Sequence, residues 1–242
     1  WLAENLSRSG LDVEVLETPK HPVVLGEWRG AGADAPTVLI YGHYDVQPAE
    51  PLEEWSSPPF DPEVRDGKVF ARGSADDKGQ IFMHVKALEA ALADGRILPV
   101  NIVVLAEGEE EIGSPSLVPF VEKYKQRLAA DVVVISDSAM FQEGLPSLLF
   151  SLRGLAYFEL KARAAKTDLH SGAYGGAIPN PGTALARIIA SFHEADVRIA
   201  IKGFYDDVLE WDAKTRAQIS SLPFDEDDFR RNVEATALAG ES

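Results

Sequence analysis

The chain has no cysteine among its 242 residues. Disulfides, thiolate zinc sites and a thiol nucleophile are therefore excluded, and the lack agrees with a cytoplasmic location. Basic residues are also few: 23 Lys and Arg stand against 39 Asp and Glu, a formal charge of -16. So acidic a chain lacks the positive patches that nucleic acid or an anionic membrane requires, and neither is expected as a partner. No apolar run approaches the ~20 residues of a membrane-spanning helix, and no signal-peptide pattern is visible. Carboxylates are what the chain has in excess. They serve either solubility or the holding of metal, and the count alone does not separate the two.

The stretch Asn101 to Ser114 reads NIVVLAEGEEEIGS. Its β-branched run Ile102–Leu105 predicts a strand buried on both faces. Glu107, Glu109, Glu110, Glu111 and Gly113 follow, with a helix start expected at Ser114. Two like charges ~4 Å apart repel by about 1 kcal/mol in water and nearer ~4 in a half-buried cleft. Carboxylates gathered at a crevice therefore call for cations among them.

Trp1–Ser9 reads as the tail of a helix stopped by Gly10, so the chain is expected to be clipped at its start. Leu11–Leu16 and Val23–Trp28 alternate as half-buried strands, and Thr37–Tyr41 is an apolar run ending at Gly42-His43. Lys68–Ala71 is a short strand, and Val132–Ile135 a further buried one ending at Ser136-Asp137. Ile81, Val85, Leu88 and Leu92 make one helical stripe; Leu117, Phe120, Val121, Tyr124 and Leu128 make another. This alternation predicts an α/β fold: a mostly parallel sheet with helices on both faces. After Met140, Leu148–Leu152 and Ala156–Ala162 alternate as strands of an antiparallel sheet with one wet face. Asn180 and Pro181 mark a helix start, with Leu185, Ile188, Ile189 and Phe192 as its stripe, and residues 206–242 read as helical and acidic. A domain boundary is placed near residue 150, giving units 1–150 and 151–242.

Three of the predicted strands end in metal-capable residues: His43, the pair Glu110 and Glu111, and Asp137, while Asp76 stands where a short strand hands over to a helix. A parallel sheet gathers the carboxyl ends of its strands at one edge. Imidazole and carboxylate without thiolate suit Zn, Mn or Co, and several carboxylates suggest two ions ~3.5–4 Å apart. Each residue has a plainer reading. His43 could be hydrogen-bonded structure, Asp76 an N-cap, the Glu run a complement to a helix dipole, and Asp137 a turn former. Their coincidence at strand ends favours the metal.

Five segments then carry a resemblance: Tyr41-Gly-His-Tyr-Asp-Val-Gln-Pro48, Arg72-Gly-Ser-Ala-Asp-Asp-Lys-Gly79, Glu107-Gly-Glu-Glu-Glu-Ile-Gly-Ser114, Ile135-Ser-Asp137 and Asp168-Leu-His-Ser-Gly172. In this order they resemble the motifs of the co-catalytic zinc exopeptidases, which include aminoacylases, desuccinylases and dipeptidases of the carnosinase type, the last being nearest in wording. The resemblance implies a homodimeric hydrolase that cleaves dipeptides or short peptides through a metal-bound hydroxide, with two divalent ions, zinc first and Mn or Co as alternatives. It implies that His43 and Asp137 bind one ion, that Asp76 bridges both through a motif whose Asp76–Asp77 peptide is cis, and that Glu111 binds the second. It further implies that Glu110 is the general base, that Asp45 orients the His43 imidazole, and that His170 polarises the substrate carbonyl. The rest of the chain, on the same resemblance, is part of an inserted α+β lid and dimerisation domain. Relatives return from that domain to supply a last metal-binding histidine and a carboxylate-binding arginine. Neither is present here, so the 242 residues are expected to be an inactive fragment. N-acyl-amino-acid deacylation and desuccinylation are the rival reactions, and a non-catalytic dimerising homologue is the rival class. His21, His84 and His193 lie outside any motif and read as structural.

Overall fold

Asn101–Glu107 is a strand with every residue buried, as its unbroken apolar run predicts. It lies at the middle of the larger sheet in the first of two compact units, Trp1–Phe150 and Ser151–Ser242. The structure is a computed structural model that describes residues 1–240.

In the first unit the order is α1 (Leu2–Arg8), β1 (Asp12–Leu16), β2 (Val23–Trp28), β3 (Thr37–His43), β4 (Glu63–Arg65), β5 (Lys68–Phe70), α2 (Lys78–Leu92), β6 (Asn101–Glu107), α3 (Leu117–Tyr124) and β7 (Val132–Ile135). The five-stranded sheet runs β1-β2-β6-β3-β7, and β4 and β5 form a separate exposed hairpin. β6, β3 and β7 are parallel, while β1 and β2 run antiparallel at one edge. Alternation sends the β6 side chains to both faces. Ile102, Val104 and Ala106 pack with Leu6 of α1 and with Ile81, Val85 and Leu88 of α2. Val103 and Leu105 pack on the other face with Leu25, Phe120 of α3 and Leu128. This is the doubly covered α/β sheet that the alternation predicts.

Four local expectations fail for physical reasons. β2 is more than half-buried, because β1 and β6 flank it on both sides. β7 is not buried: it is an edge strand whose Val132, Val133 and Ile135 are all exposed. No helix starts at Ser114. A 3-10 turn at Glu110–Ile112 is followed by left-handed backbone at Gly113 (φ 83°) and Ser114 (φ 49°), so α3 begins only after Ser116. Finally, Leu148–Leu152 and Ala156–Ala162 form no strands. Alternation gives a strand only when a neighbour supplies the ladder, and among the described residues none does; Leu148, Tyr157 and Phe158 stay exposed.

The second unit contains α4 (Ser171–Tyr174), α5 (Pro181–Ala190), α6 (Ala213–Ser220) and α7 (Glu226–Asn232). Asn180 caps α5 as expected, its side chain accepting from Thr183 N, with Pro181 in the first turn. The apolar stripe of α5 is not covered, however: Ile188 and Ile189 are exposed.

A charge network secures the β1–β2 edge. Arg127 Nη2 donates to Glu27 Oε2 (2.5 Å) and Glu14 Oε1 (3.0 Å), and Arg29 Nη2 donates to Glu27 Oε1 (3.0 Å). Burial alone would raise the Glu27 pKa, but the bonds from Arg127 and Arg29 outweigh it and hold the carboxyl below its ordinary value. A depressed folded pKa stabilises the protein above the unfolded value and loses that contribution as pH falls through the folded one. Glu27→Gln is thus expected to cost about 1 kcal/mol at pH 7, with the gap between urea midpoints of wild type and variant closing as pH falls below 4.5. A gap that persists at pH 3 would show that the charge is not what Glu27 contributes.

Candidate metal centre

The parallel register sets the ends of β3 and β6 side by side, with His43 opposite Glu107, and pairs Tyr41 with Ile135 of β7. His43 is fully buried. Its Nδ1 lies 3.3 Å from Asp45 Oδ1 and 3.2 Å from the Asp45 carbonyl oxygen. With Nδ1 so engaged, Nε2 is the nitrogen left to meet a ligand. It lies 3.0 Å from Asp76 Oδ1 and 3.7 Å from Asp137 Oδ2. Ligand atoms of His43, Asp76 and Asp137 all fall within 4.8 Å of one another, from three different parts of the chain.

Asp76 reaches this point from the turn before α2, and the Asp76–Asp77 peptide is cis. Neither aspartate caps the helix through its side chain. Asp77 occupies the cap position without a capping bond, and its Oδ2 instead accepts from His43 N (3.1 Å). Burial is the main cause that lifts Asp77 to about 6; the His43 N–H opposes it and the Asp137 charge adds to it. Gly42 makes the approach of α2 possible. A Cβ there would lie 2.6 Å from Ile81 Cγ1 and 2.7 Å from Asp77 Oδ2, so any side chain would push the helix off the strand.

The acidic turn after β6 is gripped from several sides. Asp45 accepts from Glu110 N (3.2 Å) and Glu111 N (3.0 Å), so one carboxylate joins the imidazole to the turn. Glu109 is buried and accepts from Thr18 Oγ1 (3.2 Å), His21 N (2.9 Å) and Ser116 N (2.9 Å). Burial would raise its pKa, but the bonds from His21, Ser116 and Thr18 overcome this and hold it ionised. Glu107, also buried, accepts from Tyr41 Oη (2.6 Å) and Ser114 Oγ (2.7 Å). Glu111 stands apart from the three-residue cluster: its Oε2 accepts from Gln47 Nε2 (2.6 Å) and its Oε1 from Gln47 N (3.2 Å).

Crowded carboxylates dominate the electrostatics. Burial disfavours a charged His43, yet Asp137, Asp77, Asp45 and Glu110 outweigh it and raise the imidazole pKa. Glu110 is raised by burial first, against the pull of His43, with Asp137, Glu111 and Asp45 adding repulsion. Asp137 is raised by burial, and by Asp76 and Glu111, despite His43. A divalent cation would relieve all three shifts. One imidazole with an open Nε2 and two convergent carboxylates without thiolate form a donor set suited to Zn, Mn or Co. The residues present fit such an ion.

His170 belongs to the second unit. It is exposed, its Nδ1 accepts from Gly172 N (3.1 Å), and it lines a cleft of about 650 Å³ with Arg163, Lys166 and Asp168. Sequence reasoning gave no role to Asp77, Gln47 or Glu109, although each stands inside a quoted motif within two residues of a chosen one. For Asp45 a signal exists in its place two residues beyond His43, on the same side of an extended segment. None existed for Glu109, two of whose three partners lie 91 and 88 residues away.

Comparison with known proteins agrees with this geometry. The model of peptidase family M20/M25/M40 matches residues 39–236. A cysteinylglycine-S-conjugate dipeptidase of Corynebacterium striatum is 34% identical over 96% of this chain and 49% of its own length. The human Beta-Ala-His dipeptidase is 33% identical over 88% of this chain and 42% of its own. Among solved structures, the M20 family metallo-carboxypeptidase Sso-CP2 of Sulfolobus solfataricus superposes with TM-score 0.78 at 31% identity, covering 100% of this chain and 55% of that one. The chain thus spans about half the length of the relatives it matches. With the family model covering most of its residues and the relatives sharing a third of theirs, the chain belongs to peptidase family M20/M25/M40.

Proposed function

We propose that the whole protein is a dinuclear metallopeptidase that hydrolyses the amide bond of dipeptides or short peptides. The observation that carries this reading is the convergence of His43, Asp76 and Asp137 within 4.8 Å. His43, Asp137 and Asp76 would hold one ion, and Glu111 with Asp76 would hold the other. The ions are zinc, with Mn or Co as substitutes. When bound, they supply Lewis acidity and bring the pKa of water towards ~7.

The chain's own residues do the rest. Glu110 takes the proton from the attacking water and returns it to the leaving amine. Its place in a half-buried, acidic surround, which disfavours the charged form, suits a group that must both accept and give a proton. Asp45 keeps the His43 imidazole in one tautomer and, through the Glu110 and Glu111 amides, sets the height of the acidic turn. His170, on the second unit, donates to the substrate carbonyl as charge develops there. Both named relatives are dipeptidases, which supports a short peptide as substrate.

The first unit is the catalytic domain and the second a lid through which two copies pair. The protein works in the cytoplasm, with no nucleic acid or membrane as partner. The charge of -16 supports the latter, and no helix among the described residues is long and apolar enough to cross a membrane. The test is a substrate panel on full-length protein loaded with Zn, Mn or Co. Metal-dependent release from dipeptides is expected; release from N-acetyl- or N-succinyl-amino acids alone would replace this reading by a deacylase.

A further inference from the structure

We infer that His84 is a positioning residue of the metal centre: through Ser136 it braces the strand end carrying Asp137 against the helix that follows Asp76. The inference rests on the proposed reading that His43, Asp76 and Asp137 hold an ion. His84 belongs to no motif and touches none of the three.

Asp137 has little else to hold it in place. β7 is an edge strand paired only with β3, and its ladder ends at Ile135, two residues short of Asp137. Of its side chains only Val134 packs inward, on the α2 side; the other three are exposed. An edge strand anchored by one inward residue does not by itself set a ligand to within the ~0.5 Å that a preorganised site needs. Just beyond the ladder, Ser136 Oγ lies 2.7 Å from His84 Nε2.

The helix carrying His84 is itself fixed. Its N-terminal end is tied to β3 by Asp77 accepting from His43 N, and Gly42 lets Ile81 and Asp77 close on the strand. The void left between them is only about 10 Å³, lined by Gly42, Ile81 and His84 among others. That is room for one water at most, so α2 sits close on the sheet. Burial lowers the His84 pKa, which favours the neutral ring. α2 is therefore a brace with two attachment points. Its start clips β3 beside His43, and about two turns later it clips the chain just past β7, beside Asp137; Asp76 lies directly before it. The spacing of all three ligands is set by one rigid element.

The test uses full-length protein and titrates Co(II) by its visible absorption, with Zn(II) as competitor. Outer partners of metal ligands are generally worth 10–100-fold in affinity. His84→Phe keeps the ring volume without the bond, and Ser136→Ala removes the other partner at little risk to the fold. The contact stands one step further out, so each is expected to weaken Co(II) binding by about 10-fold, the low end of that range, and to alter the visible bands. The double variant should be no worse than either single one, since both remove the same contact. His84→Gln, which can still bond to Ser136, should recover most of the affinity. If wild type binds Co(II) and the variants bind it within twofold, or if the losses simply add, the brace is refuted while the metal reading stands. Should wild type bind no Co(II), the metal reading falls and the inference with it. A variant that only lowers the melting temperature, with affinity and bands unchanged, also overturns it.

Discussion

In the full-length enzyme Glu110→Gln is expected to lower kcat for a dipeptide by about 10²–10⁴-fold, the usual worth of a positioned general base. The substitution keeps the shape and the backbone, so the grip of Asp45 on the Glu110 amide remains. Glu110 is not among the three clustered ligands. Binding of Co(II) or Zn(II) should therefore stay within about twofold, and KM should move far less than kcat. Without metal, burial and acidic neighbours raise the Glu110 carboxyl pKa above its ordinary value. A base must be ionised to act, so the acid limb of the metal-loaded wild-type pH–rate profile should rise as Glu110 ionises, at a lower pH than in the metal-free protein. It should be absent from whatever rate the Gln variant retains. Turnover within a few fold of wild type would remove Glu110 as the base. Loss of metal along with turnover would make it a ligand instead.

Phe120→Ala is expected to destabilise the first unit by about 3–5 kcal/mol, the range for truncating a buried aromatic. Phe120 is the buried residue of α3. It packs with Leu25, Leu39, Val103 and Leu105 on the face of the sheet that α3 covers, and stacks on Tyr124 at 4.6 Å. The consequence extends to the acidic turn. Phe120 N donates to the Ser116 carbonyl, and Ser116 N donates to Glu109. Loosening α3 thus loosens one of the donors that hold the Glu109–Glu111 segment. Urea unfolding followed by circular dichroism, with separate transitions assigned to the two units, would measure the loss. A change below about 1 kcal/mol would mean that α3 is held by something other than this ring.

The sequence carried the scaffold of this site better than its fittings. Buried apolar runs announced β3 and β6, and parallel pairing follows from the intervening helices, so the meeting of His43 and Asp137 could be reasoned from strand ends alone. What position in the chain does not encode is which neighbour a side chain selects once the strands are in register. Glu109 and Glu111 stand two residues apart, yet one is buried among amide donors and the other is half-buried and bonded to Gln47. His84 read as one structural imidazole on a helix, because its partner lies 52 residues away. The alternating stretches at 148–162 misled for the opposite reason. Their pattern is that of strands, but a ladder requires a second backbone beside them. The helix expected at Ser114 failed over two left-handed residues, a detail that Gly113 hinted at and Ser114 did not.

The cluster is assembled from positions 43, 76 and 137, and no two of these are close enough in the chain to chelate before the parallel strands have met. The unfolded polypeptide therefore offers a metal no comparable grip. By mass action, any ion these residues hold is spent entirely on the finished sheet, about 2.7 kcal/mol when its concentration is a hundred times Kd. Growth conditions rich or poor in the metal would then shift how much of the protein survives heat and proteolysis, independently of any peptide it cleaves.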